Sequence, residues 1–311
     1  MPKEIFIIEK TEKLRIDKFL AEKYSDFSRT FLQRLIDSGD ITVNNSIQTQ
    51  KYILKYGDVI AVELPKKDDQ TFLEPESFNF KILYEDNDVL VIDKPAGVVV
   101  HPAPGNTNGT VVNALLGKDN DFMEQFHSEE SNTLLRPGIV HRLDKDTSGC
   151  LVIAKNMLSL NNLSKAFAEH TVKKEYKALI YGIPHTLHGT IETLIGRHPV
   201  NRKKMSVVTR NGREAITHYR VEKSGKINNI DVSLLSVSIV TGRTHQIRVH
   251  LSYKKMPIIG DIIYGGKPRI PAPRQLLHSA KLEFPHPISG LTITVISEYP
   301  DDFQKYLNLM K

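Results

Sequence analysis

The sequence predicts an α+β protein with two domains: a small N-terminal α/β domain and a larger domain built on a mixed, mostly antiparallel sheet. The length of 311 residues suits about two domains. Strand-like segments dominate after residue 80, and they do not alternate regularly with helices as a parallel βαβ sheet would require. We expect the small domain and its linker to cover residues 1–75 and the larger domain residues 76–311.

The first 65 residues contain two helical patterns followed by short strands. Apolar residues recur at helical spacing in both patterns, at Leu14, Ile16, Phe19 and Leu20 and again at Phe31, Leu32, Leu35 and Ile36. Ser28 is a candidate N-cap for the second helix, and Gly39 ends it. Strands are predicted at 41–43 and 58–64, and the polar residues 66–79 form a linker.

The larger domain opens with a hairpin signal, because the apolar runs 80–84 and 89–92 flank four turn-forming residues. Further strands are predicted at 150–154, 176–181, 215–221, 230–240 and 291–296. Helical patterns cover 157–168, 244–253 and 301–310.

Composition narrows the class of protein. The formal net charge of +6 favours a polyanionic partner. The single cysteine, Cys150, excludes an intramolecular disulfide and any multi-cysteine metal site. No apolar run is long enough to cross a bilayer, and the first residues lack a signal peptide. We therefore expect a cytoplasmic protein that does not contact membranes, and we expect a monomer.

Common cofactor and hydrolase motifs do not fit. The glycine-rich segment 260–268 lacks the lysine spacing of a phosphate-binding loop. His245 and His250 are five residues apart, which places them on different faces of a helix or strand. Ser148 has no glycine two residues before it, as a hydrolase serine would. We expect no nucleotide cofactor, no other cofactor and no metal site.

Three segments concentrate residues that can do chemistry: 136–149, 173–176 and 241–250. The first is a dense charged loop between two buried strands, which is typical of a catalytic loop on a rigid scaffold. Each segment also has a simpler interpretation. The loop could be an ordinary charged hairpin, Tyr176 a half-buried sheet residue and Arg243 a structural cation at a turn.

Taken together, these segments resemble the RluA-type pseudouridine synthases, in the branch that modifies large-subunit ribosomal RNA. The motifs that carry the resemblance are Asp93-Lys94-Pro95-Ala96-Gly97, the Arg142–Gly149 loop, Lys174–Tyr176, Arg243–His250, Gly260-Asp261 and Tyr264-Gly265. The first 65 residues resemble the RNA-binding module named after ribosomal small-subunit protein four. The matching positions there are Arg15, Asp17, Ser28-Arg29, Leu35-Ile36, Gly39, Val43-Asn44 and Gly57-Asp58.

The resemblance implies an isomerisation of uridine that needs no redox cofactor, ATP or metal. Asp144 is the predicted catalytic carboxylate, because departure of the base builds positive charge on the ribose. Arg243 is expected to pair with Asp144 and hold it ionised. Tyr176 is expected to pack against the base, and its hydroxyl could help to remove the proton from ring carbon five.

The target base must leave its stack to be reached, and the resemblance implies that Arg142 takes its place. A salt bridge from Arg142 to Asp146 is the alternative for this side chain. Residues 1–65 carry ten basic and ten acidic residues, so the positive excess lies beyond them. The candidate RNA-binding residues are Arg202, Lys203 and Lys204 in the larger domain and Arg15, Arg29 and Arg34 in the smaller one.

The predicted function is therefore pseudouridine formation in large-subunit ribosomal RNA, with RNA as the partner. The same reaction on transfer RNA remains an alternative. A second alternative is an RNA-binding or ribosome-assembly factor that keeps the fold without catalysis.

Overall fold

The computed structural model describes residues 4–9, 14–24, 29–63, 74–102, 106, 108–119, 122, 126, 136–201 and 204–311. For residues 29–31 and 34 it describes the backbone alone. These residues divide into two compact units, a smaller one that ends at residue 63 and a larger one that starts at residue 74.

The smaller unit combines a three-stranded antiparallel sheet with two helices. Its elements are β1 (Glu4–Ile7), α1 (Ile16–Lys23), α2 (Arg29–Ser38), β2 (Ile41–Val43) and β3 (Val59–Val62). The strand order is β1-β3-β2. The helical periodicity of the sequence is explained by the core, where Ile16 and Leu20 of α1 meet Leu32 and Ile36 of α2.

Two turns of the smaller unit depend on residues that tolerate a positive φ. Asn44 and Asn45 have φ values of 50° and 61°, as a two-residue type I′ turn requires. Gly39 ends α2 with a φ of +90°, and a Cβ on it would lie 2.9 Å from Ile47 Cδ1. The end of α2 at Gly39 was predicted from the sequence.

The larger unit is built on one extended sheet. Its strands are β4 (Lys81–Glu85), β5 (Val89–Lys94), β6 (Ser148–Ala154), β7 (Lys173–Tyr181), β8 (His188–Arg197), β9 (Met205–Val208), β10 (Arg213–Ile227), β11 (Ile230–Ile239), β12 (Leu277–Pro285) and β13 (Thr292–Ile296). Its helices are α3 (Val111–Lys118), α4 (Met157–Ala168), α5 (Gln246–Tyr253) and α6 (Asp301–Leu309). Within the described residues the strand order is β4-β5-β6-β12-β7-β11-β10-β8-β9, with β13 paired to β12.

Helices cover both faces of this sheet at its centre. Leu90 and Ile92 of β5 join a core that contains residues of α3, α5 and α6. Val89 and Val91, which point the opposite way, join a core that contains Leu163 of α4. Because both faces are covered, all seven residues of β6 are buried. The strand that follows the predicted catalytic loop is thus buried along its whole length.

The predicted α+β class with a mostly antiparallel sheet is confirmed. The exception is the pairing of β6 with β12, which is parallel and joins Ser148 to His278 and Gly149 to Ser279. No helix in the described part of the chain combines the length and apolar character needed to span a membrane.

Gly149 should be indispensable for the parallel pairing of β6 with β12. Its φ is +110°, and a Cβ would lie 2.2 Å from the carbonyl oxygen of Ser279. We expect Gly149→Ala to lower the free energy of unfolding by about 3 kcal/mol or more, through strain and steric overlap. Denaturant unfolding measures this loss.

Gly290→Ala is the matched control, because Gly290 has a φ of +71° and no atom near its missing Cβ. It should cost only the left-handed backbone strain, about 1–2 kcal/mol. Equal losses in the two variants would contradict the close approach of β6 to β12.

Candidate active site

A buried lysine holds the backbone of the loop that carries Asp144. Lys94, at the end of β5, is fully buried. Its Nζ donates to the carbonyl oxygens of Pro95, Val98 and Lys145 at 2.8, 2.9 and 3.0 Å. Burial, followed by the charge of Arg274, lowers the pKa of Lys94 to about 7. Because Lys145 follows Asp144 directly, Lys94 fixes the backbone next to the candidate catalytic carboxylate.

Two further contacts anchor the same loop. The backbone N–H of Gly97 donates to the carbonyl of Lys145 at 3.0 Å. Arg274 donates from Nη1 to the carbonyl of Asp146 at 3.0 Å while its Nε and Nη2 bind the carboxylate of Asp302. The loop is therefore tied to β5 on one side and to the segment before β12 on the other.

The carboxylate of Asp144 is paired with Arg248 of α5. Arg248 Nη1 donates to Asp144 Oδ2 at 3.0 Å. Its Nε and Nη2 donate to the two oxygens of Asp261 at 2.7 and 2.9 Å. Burial works against the charge of Arg248, but the hydrogen bonds and charges of Asp261 and Asp144 outweigh it and raise its pKa. Arg248 therefore stays charged, and its Nη1 orients Asp144.

The expected pairing of Arg243 with Asp144 does not form, and Arg248 pairs with Asp144 instead. Arg243 lies in the turn before α5, where its Nε donates to the carbonyl of Glu214 at 2.9 Å. Its backbone N–H donates to Gln246 Oε1 at 3.0 Å. Arg248 instead points from the buried side of the helix towards the loop. Both arginines lie in the segment 241–250, so residue spacing alone could not show which of them pairs with Asp144.

Polar side chains dock α5 onto the sheet with little freedom. Gln246 Nε2 donates to the carbonyl of Ile216 and to Thr217 Oγ1, both at 3.0 Å. Thr217 Oγ1 is also hydrogen-bonded to His250 Nδ1, 2.9 Å away. His250 Nε2 is hydrogen-bonded to Thr193 Oγ1 at 3.0 Å. This network fixes the helix that carries Arg248.

His245 stands beside Asp144 in a neutral form. It precedes α5 with a left-handed φ of 56°. The hydroxyl of Tyr264 accepts from the backbone N–H of Met205 and lies 2.9 Å from His245 Nδ1. His245 Nε2 lies 4.0 Å from Asp144 Oδ1. Burial lowers the pKa of His245, although the charge of Asp144 acts in the opposite direction.

Tyr176 faces the same site from β7. Its ring is buried, and burial followed by the charge of Asp144 raises the pKa of its hydroxyl. The hydroxyl therefore remains protonated near neutral pH. A neutral phenol favours packing and hydrogen donation over proton abstraction.

Asp144, Tyr176 and Arg243 line one cavity of about 90 Å³, together with Arg142. Arg142 is exposed, and within the described residues it makes neither a hydrogen bond nor an ion pair, so the alternative bridge to Asp146 is not formed. The predicted catalytic residues and the predicted base-replacing residue thus share one pocket. The sequence interpretation missed Arg248, Asp261 and His245, although all three stand in the motifs that it used.

The predicted RNA-binding residues are only partly described. The guanidinium of Arg15 binds the buried carboxylate of Asp17 through Nε and Nη2, at 3.0 and 2.8 Å. The side chains of Arg29 and Arg34 and the whole of Arg202 and Lys203 lie outside the described residues. Lys204 is partly exposed just before β9. Arg15 is thus committed to an internal ion pair.

One cluster in the described residues, Asp86, Asp88 and His286, has its oxygens and nitrogens close enough for a metal. His286 Nδ1 accepts from the backbone N–H groups of Ile288 and Ser289. The hydrogen of the neutral ring is then on Nε2, which donates to Asp86 Oδ2 at 3.0 Å. This tautomer offers no lone pair to a metal, and the cluster acts as a clamp between two turns.

His250 should make stability fall in mild acid. Burial lowers its pKa to about 4, whereas an unfolded histidine has the ordinary value near 6.5. The unfolded chain therefore gains a proton below pH 6.5 that the folded chain refuses, so stability is full above that pH and is lost as the pH falls towards 4. Between pH 7 and 5 this amounts to about 2 kcal/mol. Denaturant unfolding at several pH values measures it.

His250→Gln removes the titrating ring and should make this fall about 2 kcal/mol smaller than in the wild type. The exposed His185→Gln is the control and should leave the pH dependence unchanged. An identical fall in His250→Gln and in the wild type would contradict the burial of a neutral His250.

The fold and sequence resemble known pseudouridine synthases. The profile of the RNA pseudouridylate synthase family matches residues 88–253, and that of the S4 domain matches residues 14–60. The chain is 42% identical over 306 residues to an uncharacterised RNA pseudouridine synthase of Synechocystis sp., covering 97% of this chain and 90% of the relative. It is 38% identical to ribosomal large subunit pseudouridine synthase D of Xanthomonas campestris, covering 96% and 89%.

A solved structure, that of human RNA pseudouridylate synthase domain containing 1, superposes with a TM-score of 0.58. It is 28% identical and covers 73% of this chain and 86% of the human chain. These findings confirm the resemblance inferred from the three sequence segments. The chain belongs to the RNA pseudouridylate synthase family and carries an S4 domain ahead of its synthase domain.

Proposed function

We propose that the protein converts specific uridines of large-subunit ribosomal RNA to pseudouridine, with Asp144 as the catalytic carboxylate. The substrate rests on relatives named ribosomal large subunit pseudouridine synthase D, in Xanthomonas and in Neisseria, each aligned over 96% of this chain. The role of Asp144 rests on one observation: its carboxylate lies in a cavity with Tyr176 and is held there by Arg248.

The reaction needs one anion and controlled movement of a proton. The bond between ribose C1′ and base N1 breaks, the uracil turns, and a new bond forms between C1′ and C5. The proton then leaves C5, while N1 gains one, so product and substrate are isomers. Loss of the base builds positive charge on the ribose, as in glycoside hydrolysis, and Asp144 supplies the matching negative charge.

Arg248 keeps that negative charge available. A carboxylate with a fixed guanidinium partner favours the ionised form and a single orientation. Asp261 holds the guanidinium in turn, so Asp144 does not need to reorganise when the substrate arrives. Tyr176 would pack against the uracil, and its protonated hydroxyl would donate a hydrogen bond to it. Arg243, which also lines the cavity, would contact the RNA.

Arg142 is suited to replace the flipped base. A uridine inside a stacked helix cannot reach a cavity of about 90 Å³, so the nucleotide must turn out of its stack. Arg142 lies at the cavity and is exposed, which leaves its planar guanidinium able to stack where the base was.

The S4 domain, in a small domain proposed to span residues 1–75, would contribute further RNA contacts. Because its proposed substrate is ribosomal RNA, we expect the protein to act in the cytoplasm.

The proposal is tested by mapping pseudouridine in large-subunit ribosomal RNA. The RNA comes from a strain lacking the gene and is treated with purified protein, then with carbodiimide, and read by primer extension. Wild-type protein should create new stops. Asp144→Asn should lower the rate of modification by roughly 10³-fold or more, because it removes the negative charge. RNA affinity should stay within a few fold.

Asp146→Asn is the matched control, because it makes the same change two residues further along the loop and should remain active. Normal modification by Asp144→Asn would refute the catalytic role of Asp144. Stops in transfer RNA alone would keep the reaction and reject the ribosomal substrate. Silence on both RNA pools would favour a binding or assembly factor.

A further inference from the structure

A buried lysine without a partner lies next to the active-site cavity. Lys174 is the second residue of β7, and alternation along the strand puts it on the same face as Tyr176. Two residues along a strand are about 7 Å apart. Only 7% of Lys174 is exposed, although lysine is rarely buried without a partner.

The ammonium group of Lys174 has no anion to compensate its charge. Within the described residues its Nζ makes no hydrogen bond and no ion pair, and it lies 5.6 Å from the centroid of the Phe167 ring. The neighbouring lysines differ. Lys173 binds Glu283 at 2.6 Å, and Lys177 binds Glu175 and Glu222 at 2.7 Å. Burial lowers the pKa of Lys174.

Lys174 lines a groove that adjoins the active site. The groove has a volume of about 340 Å³, and its other basic lining residues are His170, Lys173, His218 and Lys281. Ile239 lines both this groove and the cavity of Asp144. The two acidic residues of the groove, Glu175 and Glu283, are already paired with lysines. The charge that remains without a partner is therefore that of Lys174.

We propose that Lys174 binds a backbone phosphate of the RNA beside the nucleotide that enters the active-site cavity. This inference rests on the proposed function for its ligand. An ammonium offers three donors to phosphate oxygens, and a phosphodiester supplies the permanent negative charge that the protein omits here. Burying an unpaired cation costs free energy, and the phosphate offsets this cost when the RNA binds.

The test compares three substitutions at Lys174 with one at its neighbour. Lys174→Met and Lys174→Gln remove the charge, Lys174→Arg keeps it, and Lys173→Met removes a charge that Glu283 already neutralises. The probe is an in vitro transcript of large-subunit ribosomal RNA. Its dissociation constant is measured over a range of salt concentrations, and the single-turnover rate at saturating RNA is measured separately.

Lys174→Met and Lys174→Gln should weaken binding about tenfold, as loss of a charge-assisted hydrogen bond does. The slope of log affinity against log salt should shrink by about 0.7, the value for one phosphate of a single strand. The single-turnover rate at saturation should stay within about threefold, because Lys174 does not touch the reacting atoms. Lys174→Arg should keep the slope, and Lys173→Met should change it less.

Thermal melting separates this role from a structural one. Removing an unpartnered buried charge should leave the melting temperature unchanged or raise it. A lower melting temperature with an unchanged salt slope, in either neutral variant, would overturn the proposal in favour of a structural contact with Phe167. Equal slope losses in Lys174→Met and Lys173→Met would also overturn it, because they would indicate diffuse attraction.

Failure of the proposed function is visible separately. If wild-type protein forms no pseudouridine yet binds the transcript with a salt slope that depends on Lys174, the phosphate site stands and the catalytic proposal fails. If wild-type protein modifies the RNA and the salt slope is the same in the wild type and in the neutral Lys174 variants, the catalytic proposal stands and the phosphate site fails.

Discussion

The geometry of the candidate active site depends on one guanidinium that bridges two carboxylates. Asp261 fixes Arg248 through two hydrogen bonds and is itself held by the backbone N–H groups of Ile263 and Tyr264. The exposed fraction of the side chain rises along the chain of charges, from 1% at Asp261 to 5% at Arg248 and 18% at Asp144. Removing one partner of such a buried ion pair leaves an uncompensated charge and is strongly destabilising. Asp144 is the more exposed of the two carboxylates and can meet a substrate, and its orientation is determined by Arg248 and Asp261.

The sequence identified the loop, the turn and the strand of the site but not the pairing between them. Asp144, Tyr176, Arg142 and Arg243 line the same cavity, as their motifs led us to expect. Which arginine faces Asp144 depends on the rotation of α5, and that rotation is set by hydrogen bonds from Gln246 and His250 to β8 and β10. These contacts join residues more than 25 positions apart, which local spacing does not encode. The available signal was an arginine between the apolar residues Ile247 and Val249, because such a position favours burial and a buried cation favours a carboxylate partner.

The sequence likewise predicted some secondary-structure elements correctly and missed others. Helices with clear apolar periodicity, such as α4 and α6, begin where they were predicted. Five elements were missed: β1, α3, β8, β9 and β12. The burial pattern of β8 is irregular, so its sequence lacks clean alternation. β12 has polar residues such as His278 and Ser279 buried in its pairing with β6, where a sequence pattern predicts apolar ones. Both failures arise because tertiary contacts, rather than local periodicity, decide which polar residues are covered.

The most direct test of the account is a double-mutant cycle on the single-turnover rate of pseudouridine formation. Arg248→Lys and Asp261→Asn each disturb the aim of Asp144, and each should lower the rate by roughly 10²-fold, the cost of misplacement by about 1 Å. Because both act through one hydrogen bond, the double variant should lose little more than the worse single variant. Arg243→Lys, which leaves that bond intact, should lose less. Independent losses that multiply to about 10⁴-fold in the double variant, or a greater loss in Arg243→Lys than in Arg248→Lys, would contradict the account.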